Sequence, residues 1–283
     1  MTPAERDAAI MEHLRRYHLT TPEVLHRLFF PGVGLNAVRK VTGRLVRERR
    51  IRPCGLFDQR KYFILTPREA VRLGEHRSVA RKFEYQGLVN AYGVLSYCVQ
   101  TGTKKFTPKE FREQFPELVI PGVRLANYYI DIEETSEGRK SRLGFMLVDY
   151  GTSETTILKK LRKIAVRGFT LPAFTRLIQR GNFVNAIIAP TVTKAEAIKA
   201  ALLNEAPGFI RYRVEAVEEL GELLVHRGRL KGTRPEKGHE EEDDQDDAGE
   251  AASPDSEPTP QPTLGPQPTL GSQPSHGQQE ATG

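Results

Sequence analysis

Chemistry-bearing motifs are scarce in this 283-residue chain. Its two cysteines, Cys54 and Cys98, form no CxxC pair and have no histidine at ligand spacing. That excludes the usual zinc patterns and suits thiols kept reduced in a cytosol. The histidines (His13, His18, His26, His76, His226, His239, His276) make neither an HxH nor an HExxH cluster. No Walker lysine loop, GxGxxG or nucleophile elbow occurs, so no bound cofactor or metal is expected. No run of about 18 apolar residues exists, and the first residues lack a charged-then-apolar signal pattern. The expectation is a soluble cytoplasmic protein without a membrane partner.

Charge is present in quantity and unevenly placed. The net charge is +6, but residues 236–283 alone carry −11, which leaves +17 on residues 1–235. Residues 1–82 hold 18 Lys and Arg against 8 Asp and Glu. A body this basic normally meets nucleic acid. The acid block Glu240–Asp247 leads into Pro/Gln/Ser/Gly-rich sequence containing the imperfect repeat Gln261–Gly265 and Gln267–Gly271. So little apolar side chain cannot offset chain entropy, so residues 231–283 are expected to be a disordered acidic tail. Such a tail either solubilises the protein or competes for its basic surface.

Residues 20–65 carry the most information. Thr21-Pro22-Glu23 has the form of a helix start, with a capping hydroxyl, proline at the first helical position and an acid complementing the dipole. That helix is expected to stop at Phe30-Pro31. After the turn Pro31–Gly34, a second helix is expected over about 35–50. Leu35, Val38, Thr42 and Leu45, spaced 3, 4 and 3, share its inner face. Asn36, Arg39, Lys40, Gly43, Arg47 and Arg50 share the outer one, as in a recognition helix that lies in a major groove. Gly43 costs this helix about 1 kcal/mol relative to alanine. It either admits a close approach of DNA or is merely tolerated. Residues 51–54 and 61–65 read as two strands of a wing around the loop 55–60. Thr66-Pro67-Arg68-Glu69 then starts a helix with a capping-box pattern. A first amphipathic helix, 4–17, presents Ile10, Leu14 and Tyr17. Together these predict a winged helix-turn-helix.

Residues 78–101 read as one long helix that either links two domains or forms a dimer seam. Thr107-Pro108-Lys109-Glu110 starts another short helix. From Val123 the pattern becomes strands 123–132 and 143–150 around a polar turn at 133–141, then helices 154–167 and 172–179. Strand 183–189, helix 194–204, strand 209–214 and helix 216–225 follow. A hairpin followed by helix–strand alternation predicts a mixed sheet flanked by helices. The expected organisation is α+β: a winged-helix domain at 1–76, a helical linker at 77–116, a mixed α/β domain at 117–230 and the tail at 231–283.

Several short motifs carry a resemblance: Tyr62-Phe63-Ile64-Leu65-Thr66-Pro67 after the wing, Arg124-Leu125-Ala126-Asn127-Tyr128-Tyr129 in a strand, and Asp149-Tyr150-Gly151-Thr152-Ser153-Glu154 with Lys159, Lys160 and Leu161 beyond it. With the order of elements over about 10–225, they resemble the replication-relaxation proteins of plasmids and integrative elements. The resemblance implies a second domain like the PD-(D/E)xK nucleases, whose chemistry needs paired carboxylates on a divalent metal and a nearby lysine. The family's Pro-Asp falls on Leu125-Ala126 and its Glu-x-Asp on Leu147-Val148-Asp149. One surviving carboxylate is a poor magnesium site, so the domain is expected to be a degenerate, non-catalytic scaffold. A shifted alignment would instead gather Asp131, Glu133, Asp149 and Lys159. The pair Tyr128-Tyr129 lacks the HxH cluster of a nicking relaxase and suits packing.

The leading expectation is a non-enzymatic, sequence-specific double-stranded DNA-binding protein of plasmid or mobile-element type. It would act in replication control or transcription, associated with plasmid or nucleoid. Asn36, Arg39, Lys40 and Arg47 are the expected base readers. Arg44, Arg49 and Arg50 are backbone clamps, and Arg52, Arg60 and Lys61 are wing contacts. Lys159, Lys160 and Lys163 offer a further phosphate surface. A homodimer and a replication or transcription protein are the other expected partners. A metal-dependent nuclease and a winged-helix protein adaptor are the alternatives.

Overall fold

The N-terminal helices form where the sequence provides caps. In a computed structural model describing residues 2–119, 125–135, 138–205 and 210–226, α1 (Pro3–Tyr17) opens on a reciprocal capping box between Thr2 and Glu5. It closes on His18 in the left-handed region. In α2 (Pro22–Phe29) the Thr21 hydroxyl accepts from the Val24 N–H. Gly34 precedes α3 (Leu35–Arg47) without a side-chain cap. Strands β1 (Ile51–Gly55) and β2 (Lys61–Leu65) pair antiparallel from Ile51↔Leu65 to Gly55↔Lys61. Ile10, Leu14, Leu25, Val38, Leu45 and Phe63 close a core between these elements.

A short helix α4 (Pro67–Arg72) and a 3₁₀ turn (Arg77–Ala80) lead to α5 (Tyr85–Thr101). The continuous helix expected over 78–101 is therefore broken. Arg81 is extended, and the Phe83 ring sits 6.3 Å from that of Tyr62, so tertiary packing takes the segment out of the helix. Every residue of α5 from Tyr92 to Cys98 is buried. Its side chains share a core with Tyr17, Leu19, Tyr62 and Ile64 on one side and with Tyr129, Met146, Val148, Ala186 and Ile188 on the other. A helix apolar all round is an interior element, so this stretch of α5 leaves no free face for a dimer seam. The described residues all belong to one compact unit.

After α6 (Pro108–Gln114) come β3 (Tyr128–Thr135) and β4 (Gly138–Val148), then α7 (Glu154–Phe169), α8 (Pro172–Gln179), β5 (Phe183–Ala189), α9 (Val192–Glu205), β6 (Arg211–Ala216) and α10 (Glu218–His226). The sheet order is β3-β4-β5-β6, antiparallel at the first pairing and parallel at the other two. The chain is thus α+β with a mixed sheet, bearing α5 and α10 on one face and α7, α8 and α9 on the other. Most of the expected polar turn at 133–141 is strand. Its charges fall opposite one another, Glu133 facing Lys140 and Glu134 facing Arg139, and opposite-charge cross-strand pairs hold a hairpin together. Among the described residues no helix is long and apolar enough to cross a membrane. Val123, Arg124, Phe209 and the tail segment 231–283 lie outside the described residues.

Candidate nucleic-acid interface

The outward face of α3 is built by helical spacing. Asn36, Arg39, Lys40, Gly43 and Arg47 are all exposed, while Val38, Thr42 and Leu45 are buried beneath them. The Arg39 guanidinium reaches the Asn36 side-chain oxygen at 3.5 Å. Among the described residues Arg39, Lys40 and Arg47 have no carboxylate within ion-pair distance. The turn ahead of the helix is held by His26, whose ring nitrogen donates to the Val33 carbonyl at 2.6 Å.

The neighbouring arginines are differently employed. Arg44 donates to Asp7 at 2.6 Å and Glu48 at 2.9 Å, tying α3 to α1. The helix ends at Arg47, not near residue 50, because Arg49 turns into the left-handed region at φ 55°. Arg50 consequently leaves the outer face and donates to Glu69 at 3.0–3.1 Å. Glu69 also receives Arg72, at 2.7–2.8 Å. Hydrogen bonds from Arg72, then Arg50, lower the pKa of its carboxyl. That leaves the expected capping box half made. Thr66 accepts from the Glu69 N–H, while the Glu69 carboxylate serves the two arginines.

The β1–β2 hairpin is pinned rather than free. Arg52 donates to the Ala80 carbonyl. Arg60 lies 4.9 Å over the Phe57 ring and pairs with Glu222 of α10 at 2.7 Å. Phe57 stacks on His226 at 4.7 Å, and His226 pairs with Asp58 at 2.8 Å. The loop of the hairpin therefore docks on α10, and only Lys61 among the expected wing contacts is exposed. The fold also brings Arg68 beside Arg49. With Arg50, Arg72, Glu48 and Glu69 they line a recess of about 400 Å³ next to the end of α3. Arg68 was visible in the sequence as a charge. Its proximity to Arg49 required the turn that ends α3.

Lys159 and Lys163 are exposed on α7, and the Lys160 ammonium lies 5.1 Å over the Tyr150 ring. They belong to the layer across the sheet from α5, so the fold does not bring them together with α3.

Asp131, Glu133, Asp149 and Glu154 are engaged internally. Asp131, 1 % exposed, accepts from Arg213 at 2.6 Å with Arg142 at 3.9 Å, and Arg142 also binds Glu133. One oxygen of buried Asp149 accepts from the N–H groups of Gly151 and Thr152 and from the Thr152 hydroxyl, at 2.9–3.1 Å. Burial pushes its pKa up, and the Thr152 and Gly151 hydrogen bonds only partly oppose this. Glu154 pairs with Lys194 at 2.8 Å. Among the described residues no three His, Cys, Asp or Glu side chains gather at metal-binding distance. Tyr129 is fully buried, with its hydroxyl 3.4 Å from that of Tyr97, and Tyr128 stacks on Phe111 at 4.3 Å. Both tyrosines are packing residues.

Set against known protein families, curated proteins and solved structures, the chain matches none.

Proposed function

We propose that the chain is a sequence-specific double-stranded DNA-binding protein in which α1, α2, α3 and the β1–β2 hairpin form a winged helix-turn-helix. The observation that carries this reading is the division of labour among the arginines. Arg44, Arg50 and Arg60 are neutralised by carboxylates of the chain itself. Arg39, Lys40 and Arg47 stand exposed beside Asn36 without such a partner among the described residues. Arginine paired to guanine and asparagine to adenine are the side-chain chemistries that read base edges from such a helix. Arg49, Lys61 and Arg68 would then contact the phosphate backbone. The mixed sheet acts as a scaffold without catalysis, degenerate with respect to a PD-(D/E)xK nuclease. The setting is replication control or transcription on a plasmid or mobile element.

The test is retention of random genomic fragments by the full chain at two salt concentrations, with magnesium present and the bound DNA sequenced. One enriched motif is expected, on intact DNA. Affinity should fall with salt by a log–log slope of about −0.9 per phosphate contacted. Arg39→Ala should cost about 1–3 kcal/mol and relax preference at one base position. No retention at low salt would remove the reading. An equal loss on every sequence would make Arg39 a backbone contact. Magnesium-dependent cleavage abolished by Asp149→Ala would replace the scaffold with a nuclease.

A further inference from the structure

Leu35 departs from its helical pattern. Its spacing with Val38, Thr42 and Leu45 places it on the buried face, yet it is 42 % exposed while those three are at most 5 % exposed. It sits at the first position of α3, where the helix overhangs the core, and Val33 in the preceding turn is 48 % exposed. Leu35 and Arg39 are four residues apart and therefore neighbours on the helix surface. The polar face beginning at Asn36 is thus bordered at its N-terminal end by two aliphatic side chains held outward. Gly34 beside them has nothing within 4 Å of where a Cβ would stand.

From this juxtaposition we infer that Leu35, assisted by Val33, makes an apolar contact to the 5-methyl group of a thymine next to the base pairs read by Asn36 and Arg39. The inference rests on the proposed reading of α3 as a recognition helix and deepens it by naming part of the sequence recognised. N-terminal residues of a recognition helix are the ones that meet base edges. In the major groove the thymine methyl is the one apolar feature by which a T·A pair is told from the others. An exposed leucine costs nothing to leave in water beyond its own hydration, and burying one methyl group against it returns about four-fold in affinity. The adjoining asparagine favours adenine, so a T·A step within the recognised site satisfies both residues.

The experiment uses the full chain and the duplex enriched from a random pool. Each thymine is replaced singly by deoxyuridine, which removes only the methyl group and keeps every hydrogen-bonding atom. At one position the affinity should fall about four-fold, and Leu35→Ala should bind the thymine and uracil duplexes equally. Leu35→Ala leaves the buried Val38, Thr42 and Leu45 in place, and its melting temperature verifies that the fold is kept. An enriched motif without thymine, or one whose thymines all tolerate uracil, overturns the methyl contact and leaves the DNA reading standing. A pool from which nothing is enriched overturns both.

Discussion

Glycine 144 shows how a single missing side chain shapes the sheet. It faces Tyr129 across the β3–β4 pairing, and a Cβ there would stand 2.1 Å from the tyrosine ring. The ring occupies the place of the absent side chain and is itself wholly buried. Gly144→Ala is therefore expected to lower stability by about 1–3 kcal/mol through overpacking, measured by denaturant unfolding. Gly43 is the opposite case. It is exposed in mid-helix, and a Cβ added there would meet nothing within 4 Å. Gly43→Ala should raise stability by about 1 kcal/mol. Measured DNA affinity then distinguishes its two roles: a loss means that the backbone approaches the duplex, and no change means that the glycine is tolerated.

Between elements, one buried arginine ties α1 to α6. Arg16, 4 % exposed, donates to both oxygens of Glu110 and to the Lys105 carbonyl. Those Arg16 hydrogen bonds hold the Glu110 carboxyl down at about 2 against an ordinary 4.5. Nearby, burial first and Arg16 second push His13 down to about 4 from 6.5. Both depressed values make acid destabilising, because the unfolded chain takes up protons before the folded one. The histidine contribution is complete above pH 6.5 and is lost as pH falls through 4. The carboxylate contribution is complete above 4.5 and is lost as pH falls through 2. Melting temperature should therefore decline in two stages below neutrality. His13→Gln should reduce the upper, which His18 shares because burial pushes it down to about 4 as well, and Glu110→Gln should reduce the lower. An unchanged upper stage in His13→Gln would show that another group titrates there.

At the scale of the molecule, α5 joins the two halves. One continuous core runs from Tyr17 and Tyr62 through Leu95 and Tyr97 to Met146 and Ile188. Leu95→Ala should cost about 2–5 kcal/mol. Because both halves lean on this helix, residues 1–234 should still unfold in a single transition that moves to lower denaturant. Two separated transitions, one for each half, would show that the helix does not couple them. The docking of the β1–β2 loop on α10 through Arg60–Glu222 and Phe57–His226 ties the same halves together at the surface.

Local chemistry was enough to place most helices and the later strands. The caps at Thr21 and Thr107, the proline after each, and the apolar spacing of β5 are properties of neighbouring residues, and α8 and β5 run over the residues their sequence pattern predicts. The polar face of α3 was legible for the same reason, since helical periodicity alone puts Asn36, Arg39, Lys40 and Arg47 together. The break before α5, the early end of α3 and the exposure of Leu35 were not legible. Each depends on a distant partner or on where a helix overruns the core: Phe83 on Tyr62, Arg50 on Glu69, Leu35 on its place at the first turn of its helix. Which residues are basic, and which face of α3 they share, follows from the order of residues alone. Which of those charges meet carboxylates of the chain, and which stay open to a partner, is set by the fold, because ion pairing follows distances between segments that the order of residues does not contain.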